Sequence, residues 1–152
     1  MHMRKFLIYM DSCCLNRPYD DLSNDIVRLE SEAVLTIIDR CERRFWDLCD
    51  SDILYDEIDR TTDIIRKEKI FALCNSSTIN VELNDTIIKR AKELRLANVK
   101  PFDALHLASA EYGKADIFLT TDRRLFNASK RIDMKVKVSN PAIWLTEVLF
   151  NE

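Results

Sequence analysis

The chain has 152 residues, 47% of them hydrophobic and 32% charged, with a formal net charge of −3. That length and balance fit one folded domain, expected over residues 3–152, and no apolar run approaches the ~20 residues of a membrane-spanning helix. The single glycine, Gly113, excludes a P-loop, a dinucleotide fingerprint and a G-x-S-x-G hydrolase elbow, each of which needs several glycines.

The amino terminus lacks the pattern of a secretory signal, and Met1-His2-Met3 reads as a start or cloning remnant without function. Cys13, Cys14, Cys41, Cys49 and Cys74 are odd in number and show no C-x-x-C spacing. With only His2 and His106 as histidines, a structural zinc site is not expected. The cysteines are expected as reduced thiols in the core of a cytoplasmic protein. Charge is unevenly divided. Residues 1–77 carry 11 Lys and Arg against 16 Asp and Glu, and residues 78–152 carry 12 against 10. An acidic half suits a site that collects divalent cations; the more basic half can face a phosphate backbone.

In chain order, Phe6 to Met10 is a short apolar run, fit for a strand buried on both faces, and it ends in Asp11. The following CCLNRPYDDLSND is expected as a loop, with Pro18 and several Asx residues as turn formers. From Asp25 to about Arg44, Ile26, Leu29, Ala33, Ile37 and Cys41 recur at helical spacing. Phe45 to Cys49 is a second expected strand, and Ser51 or Asp52 can cap a helix carrying ILYDEI. Further helices are expected over Ile64–Cys74 and after Asn84 or Asp85, with a short strand at Thr78–Val81 between them. Pro101 opens a helix that stops at Gly113, expected there as the C′ residue. Asp116 to Thr120 is a fourth strand, followed by a short helix RRLFNASKR. A fifth strand is expected at Lys135–Val138, and Asn140-Pro141 caps a last helix to about Phe150. This alternation defines an α/β protein with a mainly parallel sheet.

Chemistry concentrates at strand ends. In a parallel sheet, Asp11 after the first strand, Glu57 on the helix after the second, Asp103 in the first turn of the Pro101 helix and Asp122 after the fourth strand all reach one sheet edge. Glu57 shares a face with Ile53, and Asp56 is its nearest substitute. Four carboxylates in one pocket repel one another unless some protonate or a cation joins them. Mg²⁺ or Mn²⁺ answers that need with hard oxygen ligands and retained waters. The spacing alone points to a metal-dependent phosphodiesterase or phosphatase. Taken singly, each acid also has an ordinary structural role, Asp103 at a helix dipole and Asp122 as a helix cap.

The segments S-D-I-L-Y-D-E with Glu57, P-F-D-A-L-H-L-A-S-A with Asp103, F-L-T-T-D-R-R-L with Asp122 and the closing V-S-N-P-A-I-W-L together resemble the PIN domain family over nearly the whole chain. The resemblance implies a three-layer sandwich around a five-stranded, mainly parallel sheet in the order 3-2-1-4-5. It implies Asp11, Glu57, Asp103 and Asp122 as Mg²⁺ or Mn²⁺ ligands and as the catalytic set, with a metal-activated water attacking an RNA phosphodiester. Thr120 matches the family's threonine near the last acid, and Ser12 and Thr121 are expected as further hydroxyls behind the ligands. Small members of the family resemble VapC-like toxins, so the resemblance also implies a cognate antitoxin and a homodimer, with no membrane partner. The family's T-N-D is here Thr120-Thr121-Asp122, and the N-R-P-Y-D-D stretch is longer and more polar than the commonest toxin pattern.

Arg123 and Arg124 are placed to meet substrate phosphates or to begin a solvated helix. His106 is expected to pack its helix or support a ligand, and is carried beside the arginines as a substrate contact. Trp46 and Trp144 are expected in core or interface positions. Two other readings stay open: a non-catalytic binding module of the same fold, and a receiver-like phosphotransfer protein for which Asp50 is a loose acceptor candidate.

Overall fold

The computed structural model describes residues 4–152; Met1-His2-Met3 lie outside the described residues. Five strands, β1 (Leu7–Met10), β2 (Asp47–Ser51), β3 (Ser77–Val81), β4 (Ile117–Leu119) and β5 (Lys137–Ser139), form one sheet in the order β3-β2-β1-β4-β5. Every pairing is parallel. The chain steps outward from β1 to β2 and β3, then crosses back to place β4 on the other side of β1. The carboxyl end of β1 is therefore a topological switch point, where open α/β sheets leave a crevice.

Period-two alternation splits the core in two. Ile8 and Met10 face one layer, packed with α2 (Asp25–Glu42), α8 (Pro141–Phe150) and Leu54 and Ile58 of α3 (Asp52–Asp59). Tyr9 and Phe118 face the other, packed with α5 (Asp85–Leu96) and α6 (Pro101–Tyr112). Helix α4 (Ile64–Leu73) joins α3 to β3, and α7 (Arg123–Ser129) joins β4 to β5. Ser51, Asp63, Asn84, Asp122 and Asn140 each accept a backbone N–H as helix caps, which fixes where the chain turns from strand or loop into helix.

Three local expectations are corrected. The segment after β1 is not a loop: Asp11 accepts the Cys14 N–H at 3.1 Å and starts α1 (Ser12–Asn16), and Arg17–Tyr19 follow as a 3₁₀ turn. Arg17 then pairs with Glu30 and Asp20, and Arg66 with Asp20, so the polar N-R-P-Y-D-D stretch is tied to α2 and α4. Strand β2 begins two residues later than expected, because Asp50 and Ser51 are buried as strand residues once their polar groups find partners. Asp50 bonds Tyr55 and Asn80, and Ser51 bonds Tyr9.

Gly113 ends α6 but does not take the left-handed conformation, having φ −74°. Lys114 takes it, at φ 60°, and the Ala115 N–H bonds back to the Ala110 carbonyl at 3.0 Å. Glycine is required at 113 for proximity: a Cβ there would lie 2.7 Å from Val81 Cγ2 and 3.3 Å from Cys49 Sγ.

Cys14, Cys41, Cys49 and Cys74 are buried free thiols, as expected of core residues, and Cys13 is exposed. Trp46 and Trp144 are both buried and meet Phe6 edge-on at the amino-terminal edge of the sheet. Among the described residues no helix is long and apolar enough to cross a membrane.

Candidate functional site

The site grows out of the end of β1. Met10 pairs with Leu119 across β1 and β4, and the Asp11 N–H continues the ladder to the Leu119 carbonyl at 3.2 Å. That register sets Asp11 beside Thr120, whose hydroxyl favours the ionised Asp11 carboxyl. Asp11 is only 2% exposed. Burial lifts its carboxyl from an ordinary 3.8 to about 6, against the opposing pull of Thr120, His106 and the Cys14 N–H, with Asp103 pushing it further up.

Asp122 lies one strand across. One of its oxygens accepts the Arg124 and Leu125 N–H groups at 2.9 and 3.4 Å as the cap of α7, and its own N–H donates to Thr120 Oγ1 at 3.0 Å. Thr120 thus ties the Asp122 backbone next to Asp11, and Thr121 is buried between it and Asp122 in sequence. Asp103, half-buried in the first turn of α6, is raised by burial and then by Asp122. Glu57 behaves in the opposite way. Burial raises it, but hydrogen bonds from His106 (Nε2 to Oε1, 3.0 Å) and from the Ser12 hydroxyl prevail and hold it below its ordinary value. Asp56, the alternative to Glu57, points to solvent in a pair with Arg60.

The structure therefore brings Asp11, Glu57, Asp103 and Asp122 to one sheet edge. Cys13 at the rim reports on all four: its thiol is pushed up by desolvation and then by Asp11, Asp122, Asp103 and Glu57 in turn. The sequence gives Cys13 no role beyond that of a core thiol. The signal that it borders the site is its position two residues after Asp11, in the first turn of a helix whose sequence reads as a loop. Among the described residues, none of the four acids is ion-paired with a lysine or arginine. Equally, no three carboxylate, imidazole or thiol groups among them stand close enough to form a cage on their own. A set of separated oxygen donors in a shared negative field fits a hydrated hard cation, which binds through one or two carboxylates and keeps its waters.

His106 is 1% exposed and bonded through both ring nitrogens, to Glu57 and, at 2.7 Å from Nδ1, to the Tyr9 hydroxyl. It is corrected from a substrate contact to a buried support for Glu57. Arg123 and Arg124 stay exposed at the start of α7. Thr120, Asp122 and Arg123 line a cleft of about 470 Å³ together with the apolar Ile26, Leu29 and Phe126. Asp50 does not meet the needs of a phospho-acceptor, since it is buried in β2 and held by Tyr55 and Asn80.

A parallel sheet in this order, with acids from β1, α3, α6 and the end of β4 at its switch point, defines the PIN class of α/β proteins. The PIN domain family model matches residues 20–131, and the chain belongs to that family. The fold is also that of several solved structures. One is VapBC2 from Rickettsia felis bound to a DNA fragment from their promoter (13% identity, TM-score 0.54, covering 88% of this chain and 98% of that one). Another is FitAcB from Neisseria gonorrhoeae (18%, TM-score 0.53, 88% and 97%). A third is VapBC-1 from nontypeable Haemophilus influenzae (14%, TM-score 0.55, 89% and 98%). No curated protein matches the chain.

Proposed function

We propose that the chain is a metal-dependent endoribonuclease that hydrolyses an RNA phosphodiester at the carboxyl edge of its sheet. The observation that carries this reading is the gathering of Asp11, Glu57, Asp103 and Asp122 in one field with no lysine or arginine paired to any of them among the described residues. Asp11 and Asp122 also cap α1 and α7, but an uncharged asparagine caps as well, so the fold does not need their charge, and burial works against at least Asp11 and Asp103. Membership of the PIN family, whose domains are generally nucleases, supports the same reading.

Asp11, Glu57, Asp103 and Asp122 would hold one or two Mg²⁺ or Mn²⁺ ions, directly or through water. When bound, the metal supplies activation of the attacking water and neutralisation of charge on the phosphodiester. The chain's own residues prepare the site for that. Thr120 holds the start of the Asp122 turn beside Asp11, Ser12 and His106 orient Glu57, and Arg123 and Arg124 meet phosphates of the flanking RNA. The family resemblance carries a cognate antitoxin and a homodimer with the same function, and the VapBC structures that share the fold support a toxin role.

The test is cleavage of a labelled RNA by purified protein with Mn²⁺, with Mg²⁺, and with a chelator. Cleavage that needs the metal and vanishes in Asp11→Asn is the expected result. Tight RNA binding without cleavage in either metal favours a non-catalytic binding module instead.

A further inference from the structure

Behind Glu57 runs a chain of hydrogen bonds that the proposed reaction does not itself require. Its far end is the Leu54 N–H in the first turn of α3, which donates to Ser51 Oγ at 3.1 Å. Ser51 Oγ and the Tyr9 hydroxyl are 2.6 Å apart, and the Tyr9 hydroxyl and His106 Nδ1 are 2.7 Å apart. His106 Nε2 then reaches Glu57 Oε1 at 3.0 Å, one turn further along the same α3 that the chain started from. Ser51, Tyr9 and His106 are all buried, and each hydrogen bond closes directly between protein groups.

The direction of the chain follows from its carboxylate end, because the Ser51 oxygen can accept from Leu54 whichever way its own proton points. A backbone N–H can only donate and an ionised carboxylate can only accept. Glu57, read as a metal ligand, is an accepting carboxylate, so His106 Nε2 carries the proton that faces it at 3.0 Å. Which ring nitrogen carries that proton is set by the partner on the other side, here the Tyr9 hydroxyl. The Tyr9 ring is itself wedged in place, stacked on Phe118 at 5.3 Å and edge-on to the imidazole.

The elements joined are the ones that carry the acids. Tyr9 stands two residues before Asp11 on β1. His106 follows Asp103 by one turn of α6, and Ser51 caps the helix that bears Glu57. We infer that the Ser51–Tyr9–His106 chain is a positioning device: it holds the Glu57 carboxylate in one orientation and fixes the elements bearing Asp11 and Asp103 against it. The inference rests on the reading of Glu57 as a metal ligand, and it assigns Tyr9 and His106 a task in metal affinity although neither reaches the metal. Groups that orient a ligand in this way typically govern 10- to 100-fold in metal affinity.

The experiment compares two substitutions that disturb the core alike but treat Glu57 differently. In His106→Gln the side-chain amide reaches where Nε2 was and can still donate to Glu57. In His106→Asn it reaches only as far as Nδ1 and cannot. Calorimetric titration of the purified proteins with Mn²⁺ is expected to find His106→Gln within about threefold of wild type and His106→Asn at least about tenfold weaker, with Tyr9→Phe between them. Nitrogen-15 NMR of the wild-type imidazole, without metal, is expected to show a proton on Nε2. The protein has two histidines, so comparison with His106→Gln identifies the signal. Equal Mn²⁺ affinities for His106→Asn and His106→Gln, an unchanged affinity in Tyr9→Phe, or an unprotonated Nε2 each overturns the inference. If wild-type protein binds no Mn²⁺, the metal reading of the site fails, and the network is decided by the NMR result alone.

Discussion

The two ends of the sheet each carry a cleft of about 470 Å³, and they handle charge in opposite ways. At the amino-terminal edge, Phe6, Trp46 and Trp144 form the floor, and the acids around it are paired: Asp116 with Arg4, Glu147 with Lys137, Glu152 with Arg40. At the carboxyl-terminal edge, Asp11, Glu57, Asp103 and Asp122 have no lysine or arginine partner among the described residues, and Asp11 and Asp103 are shifted upward by burial and by the field of neighbouring acids. A paired acid at a strand end is explained by the fold. The charge of an unpaired, buried one is opposed by the fold, which marks it as a candidate for a ligand that arrives from outside. The size of a cleft does not distinguish these two edges; the state of their carboxylates does.

Breaking the contrast at its sharpest point gives the largest effect. Asp11→Asn keeps the shape of the side chain and its acceptance of the Cys14 N–H, since asparagine caps helices as well as aspartate. RNA cleavage in Mn²⁺ is expected to fall to the no-enzyme background while circular dichroism stays that of wild type. Cleavage at the wild-type rate would remove Asp11 from the mechanism.

The same substitution should stabilise the metal-free protein. A folded-state value of about 6 against an ordinary 3.8 means that the native state binds the Asp11 proton more tightly than the unfolded chain does. Stability therefore falls as pH rises through the window from about 4 to about 6, and the full cost, roughly 3 kcal/mol, is present above it. At pH 7.5 without metal, Asp11→Asn is expected to raise Tm by up to about 10 °C and to flatten that pH dependence. Millimolar Mn²⁺ should raise the Tm of wild type and leave the variant's unchanged. A variant less stable than wild type at pH 7.5 would show that the Asp11 charge is already compensated within the protein.

Much of this contrast is legible in the amino-acid sequence. The positions of Asp11, Asp122 and Ser51 follow from strand ends and caps, because a short polar side chain directly after a buried apolar run marks where a strand gives way to a helix. Helix α1 is not legible: its nucleus is a side-chain cap from Asp11, and SCCLN has no apolar period of its own. The start of β2 is misplaced for a related reason. Aromatic Phe45 and Trp46 favour a strand by composition, whereas Asp50 and Ser51 become strand residues only through Tyr55, Asn80 and Tyr9, contacts that tertiary structure supplies. Tyr9 itself looks like one more apolar strand residue. Its hydroxyl meets a histidine 97 residues away, and no spacing rule reaches that far.

Smaller effects test the rims. Arg123 and Arg124 are exposed and have no acidic partner among the described residues, so their charge is free for phosphate. Arg123→Ala/Arg124→Ala is expected to raise KM for RNA several-fold, to leave kcat within about twofold, and to weaken the salt dependence of binding. A fall in kcat at unchanged KM would move the arginines from substrate contact into the reaction itself.

The smallest effect belongs to the paired edge and is the control for all the others. Arg4 bonds Asp116 at 3.0 Å and lies over the Phe6 ring at 4.7 Å, but its side chain is 67% exposed. An exposed pair of this kind contributes about 0–1 kcal/mol, and Asp116 keeps its shorter bond to the Leu7 N–H at 2.7 Å when the arginine is gone. Arg4→Ala is therefore expected to lower stability by less than about 1 kcal/mol in urea unfolding and to leave metal binding and cleavage untouched. The whole length of β1 separates Arg4 from Asp11, and that strand is held on both sides by β2 and β4, so a charge lost at one end has no soft path to the other. A clear loss of cleavage in Arg4→Ala would mean that the two edges communicate through β1, and the distinction between a paired edge that supports the fold and an unpaired edge that awaits a cation would have to be abandoned.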